Sequence, residues 1–188
     1  KEDSNGVLWV GTLGGLDRYN SQIDGFDHFK NDPLDVDSLS SNAISVIFED
    51  SQQQLWIGTG AFGVEGAGLN RFDPTTGKAV HFRHDDFDSQ SLSGDNISSI
   101  YEADDGNLWI ATGGFSLAGS GLNQFDPRTG KFHRFSHEPE RSDSLSANEI
   151  MTLWGDSNGV LWIGTWSAGL DRMELSKPGH FTHYQNDP

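Results

Sequence analysis

The sequence predicts an all-β chain built from four copies of one repeat, each copy a small antiparallel sheet. Three observations carry this. The pair Leu-Trp recurs at Leu8-Trp9, Leu55-Trp56, Leu108-Trp109 and Leu161-Trp162, with offsets of 47, 53 and 53 residues. Further blocks recur around each pair in a fixed order. The chain of 188 residues holds 23 glycines and 11% aromatics but only 34% hydrophobic residues, which suits short strands, tight turns and large side chains filling thin layers.

Four strand-like blocks make up one repeat. Strand A reads AISVIFED at 43–50, NISSIYEA at 96–103 and EIMTLWGD at 149–156, and follows SLSSN, SLSGD and SLSAN. Strand B is LWVGT, LWIGT, LWIAT and LWIGT. Strand C begins at Gly15, Gly68, Gly121 and Gly169, and strand D is FDHF, AVHF, FHRF and FTHY at 26–29, 79–82, 132–135 and 181–184. Each block is rich in β-branched and aromatic residues and is bounded by turn residues. DSNG at 3–6, DDGN at 104–107 and DSNG at 156–159 join A to B, while DPTTG at 73–77 and DPRTG at 126–130 join C to D. Pro presets the turn and Gly supplies positive φ.

Both parities of strand B are apolar, Leu55 and Ile57 on one side and Trp56 on the other. A strand of this kind has both faces of its sheet covered. Four-stranded antiparallel sheets stacked face on face are the blades of a β-propeller, and the reading is a propeller fragment of four blades. The blades fall at 1–33, 42–86, 95–139 and 148–188. Lys1-Glu2-Asp3 aligns with Phe48-Glu49-Asp50, so the first blade lacks its innermost strand. No strand is left over to close a ring. The chain is therefore expected to be a piece of a longer protein or to self-associate through its open propeller ends.

The charge of −16 argues against nucleic acid as a partner, because such a chain repels phosphate backbones. No apolar run of 18 residues is present, so this segment is expected to make no membrane contact and to open without a signal peptide. The absence of cysteine excludes disulfides.

The blocks at 95–130 and 148–172 resemble the two-component regulator propeller repeat, whose pattern runs N-I-x-x-I-x-x-D, G-x-L-W-I-G-T and then G-L-x-R-F-D-P-x-T-G-x-F. Two departures stand out. Gln52-Gln53-Gln54 replaces the usual Gly of the A–B hairpin, and Met173-Glu174-Leu175 loses the Asp-Pro turn. The resemblance implies seven-bladed propellers, often two in tandem, outside the inner membrane of bacteria. They stand ahead of a β-sandwich, a membrane span and a histidine kinase or diguanylate cyclase. It implies a periplasmic sensor of ligands, commonly carbohydrates. The hairpin Asp104-Asp105-Gly106-Asn107-Leu108-Trp109 also resembles the Asp-box of sialidases, a structural turn even in those enzymes.

Strand alternation puts the B–C loops and D–A connections on one face of the disc, and variation concentrates there. Blade 1 has the short link Leu13-Gly14-Gly15, whereas GAFGVEGAG at 60–68 and GGFSLAGSG at 113–121 are insertions. The loops carry Phe62, Phe115 and Trp166, which are the candidate ligand-binding residues, since exposed rings stack on the apolar faces of sugars. The alternative is that these rings pack under their own loops. Trp9, Trp56, Trp109 and Trp162 are expected to be blade-to-blade packing. His28, His81 and His183 share a strand-D column with Arg134. That column lies on the outermost strand, where equivalent positions diverge, so no metal is expected. The acidic D–A loops, such as Asp32, Asp35 and Asp37, lack calcium-site spacing and read as solvated. No phosphate-binding loop and no cysteine nucleophile is present. The first reading is a non-catalytic ligand-sensing segment with no cofactor. The alternatives are a structural or dimerisation module and, last, a carbohydrate-active hydrolase or lyase.

Overall fold

The structure, a computed structural model, describes residues 1–61, 63–114 and 117–185. The described residues form fifteen strands in four antiparallel sheets. The first sheet is β1 (Trp9–Thr12), β2 (Gly15–Asn20) and β3 (Gly25–Phe29). The second is β4 (Ile44–Glu49), β5 (Leu55–Thr59), β6 (Leu69–Phe72) and β7 (Ala79–Phe82). The third is β8 (Ile97–Glu102), β9 (Leu108–Thr112), β10 (Leu122–Asp126) and β11 (Lys131–Phe135). The fourth is β12 (Ile150–Gly155), β13 (Val160–Thr165), β14 (Leu170–Glu174) and β15 (Phe181–Tyr184). Each sheet pairs its strands in chain order. Beside the first sheet, Lys1–Asp3 holds the end of an inner strand: Glu2 bridges Leu8 as Glu49 pairs with Leu55 in the second sheet.

The turns form as their residues dictate. Gly6, Gly106 and Gly159 occupy the same hairpin position at φ 77°, 80° and 73°. Gln53 holds that position at φ 63°, in the left-handed region that disfavours a side chain. The inner strands share one feature the sequence pattern did not reveal, a register shift between Ile44 and Val46, Ile97 and Ser99, and Ile150 and Thr152. Such a bulge bends the strand and increases its twist.

The hydrophobic core is divided into three seams between consecutive sheets. In the first seam Trp9 lies 5.9 Å from Phe29 of its own sheet and 5.9 Å from Phe72 of the next. The second repeats this, with Trp56 at 5.9 Å from Phe82 and 5.4 Å from Phe125. The contacts with Phe72 and Phe125 are edge-on, a geometry that adds to the area the rings bury. In the third seam Trp109 lies 5.6 Å from Phe135, and Met173 takes the place of the third ring. Every residue of β5 and β9 is buried, so both faces of these central strands are covered, whereas β1 buries only Trp9.

The seam tryptophans have a polar tip that sequence reasoning missed. The indole N–H of Trp9, Trp56 and Trp162 donates to Asp3, Asp50 and Asp156 at 2.8, 2.7 and 3.1 Å. The signal was present as an aspartate six residues before each of these tryptophans; Ala103 stands there before Trp109. A buried indole needs such an acceptor. The bond from Trp162 holds the Asp156 carboxyl below the usual carboxylate range. At Asp3 burial pushes the other way, and the bonds from Trp9, Val7 and Asn5 outweigh it to lower the carboxyl.

Candidate functional site

The face carrying the B–C loops is built outward from one threonine per sheet. The hydroxyl of Thr59 donates to Gly68 O at 2.7 Å and accepts from Ala67 N at 2.8 Å. Thr112 does the same with Gly121 O and Ser120 N, both at 2.8 Å. Thr165 closes the fourth loop through Gly169 O at 2.9 Å and Ala168 N at 3.1 Å. Thr12 makes the corresponding bonds around the short first link. The loops therefore vary in length while both feet stay fixed. The last letter of every LWIGT block was the signal, and it was read only as strand.

The two long loops also reach the next sheet. Gly66 N donates to Asn96 Oδ1 at 2.7 Å, and Gly68 N donates to Asp95 O at 3.0 Å. Asn96 Nδ2 in turn donates to Ala118 O of the third sheet's own loop at 3.3 Å. Glycine is required at Gly119, where a Cβ would stand 2.1 Å from Asn148 O. Of the three candidate rings, Trp166 is 53% exposed at the start of the fourth loop, and its backbone N–H donates to Glu149 O at 2.8 Å. Phe62 and Phe115 lie outside the described residues.

The outer rim is busy with polar contacts that are structural. His81 and His183 bond the carbonyls of Ser38 and Ser142 at 2.6 and 3.0 Å. Arg134, in the same column, donates to Ser91 O at 2.9 Å and Asp88 O at 2.8 Å. The column thus clasps each D–A connection to the outer strand of the next sheet. The strand-C residues facing the column use two chemistries. Asp17 and Asp171 pair with His28 and His183, at 2.6 and 2.7 Å. Where strand C carries Asn70 or Asn123, the amide instead bonds Ser40 or Ser93. Burial opposes charge on His183, but the bonds to Asp171 and Ser142 overcome it and raise its pKa above 6.5. An open groove of about 560 Å³ on this rim is lined by residues that include His81, His84, Phe87 and Phe132. There the Leu92 carbonyl and the Asp86 carboxylate raise the His84 pKa.

Metal and nucleophile patterns dissolve on the same geometry. His133 and His137 have an i, i+4 spacing, but on extended chain that spacing separates them by about 13 Å. His137 Nδ1 is engaged by Leu145 O at 2.6 Å. Among the described residues no cluster of His, Asp and Glu could hold a metal ion. Asp32, Asp35, Asp85 and Asp88 each accept a backbone N–H within their own loops. The run Gly155-Asp156-Ser157-Asn158-Gly159 spells G-x-S-x-G, a match the sequence reading passed over. It forms the β12–β13 hairpin rather than a strand-to-helix elbow, and Asp156 is occupied by Trp162.

Sheets seamed face to face by buried rings, with inner strand first and loops of unequal length on one face, define an arc of a β-propeller. More particularly, two stretches of the chain are similar to the two-component regulator propeller. That family's model matches residues 38–61 and 91–114, each of which holds an inner strand and the tryptophan strand beside it. The chain is 29% identical over all 188 residues to Histidine kinase P4 of Formosa agariphila and spans 13% of that protein. The fold is similar to that of the extracellular domain of a hybrid two-component system from B. thetaiotaomicron. There the TM-score is 0.78 at 23% identity, over 98% of this chain and 24% of that one. It is also similar to virginiamycin B lyase from Staphylococcus aureus. That TM-score is 0.65 at 16% identity, over 100% of this chain and 55% of the lyase. At such identities the likeness shows the fold alone, and a propeller hosts catalytic and non-catalytic functions alike.

Proposed function

We propose that the chain is a non-catalytic, ligand-sensing segment of an extracytoplasmic propeller in a bacterial transmembrane histidine kinase, and that its ligand is a carbohydrate. The observation that carries this reading is the end-to-end alignment with a histidine kinase of which the chain spans 13%. The geometry supports it in a second way. The repeat spends its recurring aromatic residues on seams and its recurring polar residues on turns and clasps, whereas the B–C loops are tethered at both feet and differ in between. Binding residues commonly occupy such loops on a rigid scaffold. Trp166, Phe62 and Phe115 supply the stacking surfaces, and the signal leaves as a change in domain geometry.

A thermal-shift series with neutral hexasaccharides, namely maltohexaose, laminarihexaose and xylohexaose at millimolar concentration, tests this. A ligand that binds only the folded state raises the melting temperature. One of the three should raise it, and the rise should vanish when Trp166, Phe62 and Phe115 are replaced by Ala. No rise with any of them, or a rise that survives the triple replacement, overturns the carbohydrate reading.

A further inference from the structure

We infer that the rim groove between the second and third sheets is a docking site for an arginine side chain presented by a partner protein. The inference goes beyond the sensing role and does not depend on it. The groove is flanked on both sides by sheets of this chain. One wall is the end of β7 with the connection to β8, and the other is the hairpin that enters β11.

The template for the occupant is the same place one repeat further on. At the third seam Arg141, in the connection from β11 to β12, fills the rim. Its Nε donates to Asp143 at 2.9 Å, its Nη1 lies 3.4 Å from Glu138, and its Nη2 donates to the carbonyl of Gly179 in the facing hairpin. One guanidinium thus joins the connection to the next sheet, and the groove left there, lined by Arg141 itself, is about 340 Å³. The first seam also holds a cation at this rim, Lys78, which reaches the Asp37 carboxylate at 2.9 Å.

The second seam keeps the acceptors and lacks the cation. Asp88 stands where the third seam has Arg141, Asp85 where it has Glu138, and Gly130 where it has Gly179, each of these glycines at positive φ two residues before a buried Phe. Asp85 and Asp88 each accept one backbone N–H, and among the described residues neither is in an ion pair. Arg134 is spent on the connection's own carbonyls, those of Ser91 and Asp88. The groove is correspondingly larger, about 560 Å³, and Asp85, Asp86 and Asp88 line it against one arginine, Arg83. This balance, in a chain of charge −16, favours a cationic guest. The acceptors stand on two sides, carboxylates on the connection and a carbonyl on the hairpin. A guanidinium fork spans such a pair of walls, as Arg141 does, whereas an ammonium is a point charge. Phe87 lines the same groove and is fully exposed, which offers a ring for the guanidinium plane and for apolar neighbours of the guest arginine.

Titrations of the ¹⁵N-labelled 188-residue chain at low ionic strength test the inference with three probes. They are the peptide acetyl-Gly-Leu-Arg-Leu-Gly-amide, the same peptide with Lys for Arg, and agmatine, a free alkyl guanidinium. The arginine peptide should move the amide signals of Phe87, Asp88 and Gly130 to saturation. The lysine peptide should bind roughly fivefold more weakly, because it cannot span both walls. Agmatine should also bind more weakly, because it lacks the apolar neighbours that meet Phe87. Asp88→Arg, at an exposed position, supplies from within the chain the guanidinium that Arg141 supplies at the third seam, and should abolish binding. Should that variant fail to fold by circular dichroism, Asp85→Asn keeps an acceptor for the Phe87 N–H and should weaken the arginine peptide roughly fivefold. Groove signals that do not move, equal binding of the lysine peptide, or binding that survives the variant overturns the inference. Agmatine that binds as tightly as the peptide overturns the protein partner.

Discussion

The second and third seams solve the same packing problem with different residues. The second follows the repeat to the letter: Trp56 between Phe82 and Phe125, its indole on Asp50, and Ser51 clasping Glu102. In the third nearly every part is exchanged. Met173 replaces the inserted ring, Ala103 replaces the aspartate, and Asp171 replaces the amide that elsewhere bonds a serine. The exchanges are coupled. Gly155 leaves room for the Tyr101 ring, whose Cζ would lie 2.0 Å from any Cβ there. Asp105 accepts the Asn107 N–H at 2.9 Å, the role that Asp3 and Asp50 play for Val7 and Gln54. His183 balances the buried carboxylate of Asp171. A seam thus tolerates loss of its signature residues when polar groups find partners and rings find room within the same seam.

The largest effect should come from the signature seam. Trp56→Ala removes a fully buried ring and should cost about 3–5 kcal/mol in denaturant unfolding. Trp162→Ala, at the half-buried end face, should cost clearly less. Equal losses would contradict the seam account. Asp50→Ala comes next. It strands the Trp56 indole and the Gln52 and Gln54 amides, and should cost about 1–3 kcal/mol. The mirror change, Ala103→Asp, should gain about 1 kcal/mol by offering Trp109 the acceptor its seam lacks at that position. If both changes shift stability in the same direction, the indole bond is not what the aspartate provides.

Smaller effects sharpen the comparison. Gln53→Gly relieves a left-handed side chain and should stabilise by about 1 kcal/mol, read as a rise in melting temperature. Asp171→Asn should alter the pH profile. The His183 pKa is raised on folding, so its pairing contributes stability below its unfolded value of 6.5, and that contribution is lost as pH rises through the folded value. The wild type should lead the variant most below pH 6.5, and the lead should shrink as the pH is raised into the alkaline range and His183 loses its proton. In that alkaline range the variant also has the kind of side-chain amide that Asn70 and Asn123 use to bond a serine. A lead independent of pH would show that His183 does not carry it.

The strands were legible because each repeats: ISVIFE, LWIGT, GLNRF and AVHF all recur, and the structure places strands on every one. Hairpins were legible for the same reason, since Gly and Asp-Pro have their own backbone chemistry. Contacts between sheets were not. The bonds from Ser4 to Glu49, Gly66 to Asn96 and His81 to Ser38 join residues 30 to 45 positions apart, and no local pattern announces them. The aspartates under Trp9, Trp56 and Trp162 and the threonine under each B–C loop were visible as repeated letters, but their role needs the third dimension. His81 and His183, placed on the outermost strand and read only as too far apart to share a metal, prove to be clasps that local sequence does not announce.

The central claim is that seam aromatics form a fixed frame while the B–C loops meet the ligand. The six indole N–H signals in a ¹⁵N correlation spectrum test it directly, one for each of Trp9, Trp56, Trp109, Trp154, Trp162 and Trp166. At fixed protein concentration, titration with the hexasaccharide that raises the melting temperature should move the Trp166 signal and leave those of Trp9, Trp56 and Trp109 in place. A spectrum in which the seam tryptophans move and Trp166 does not would contradict the account.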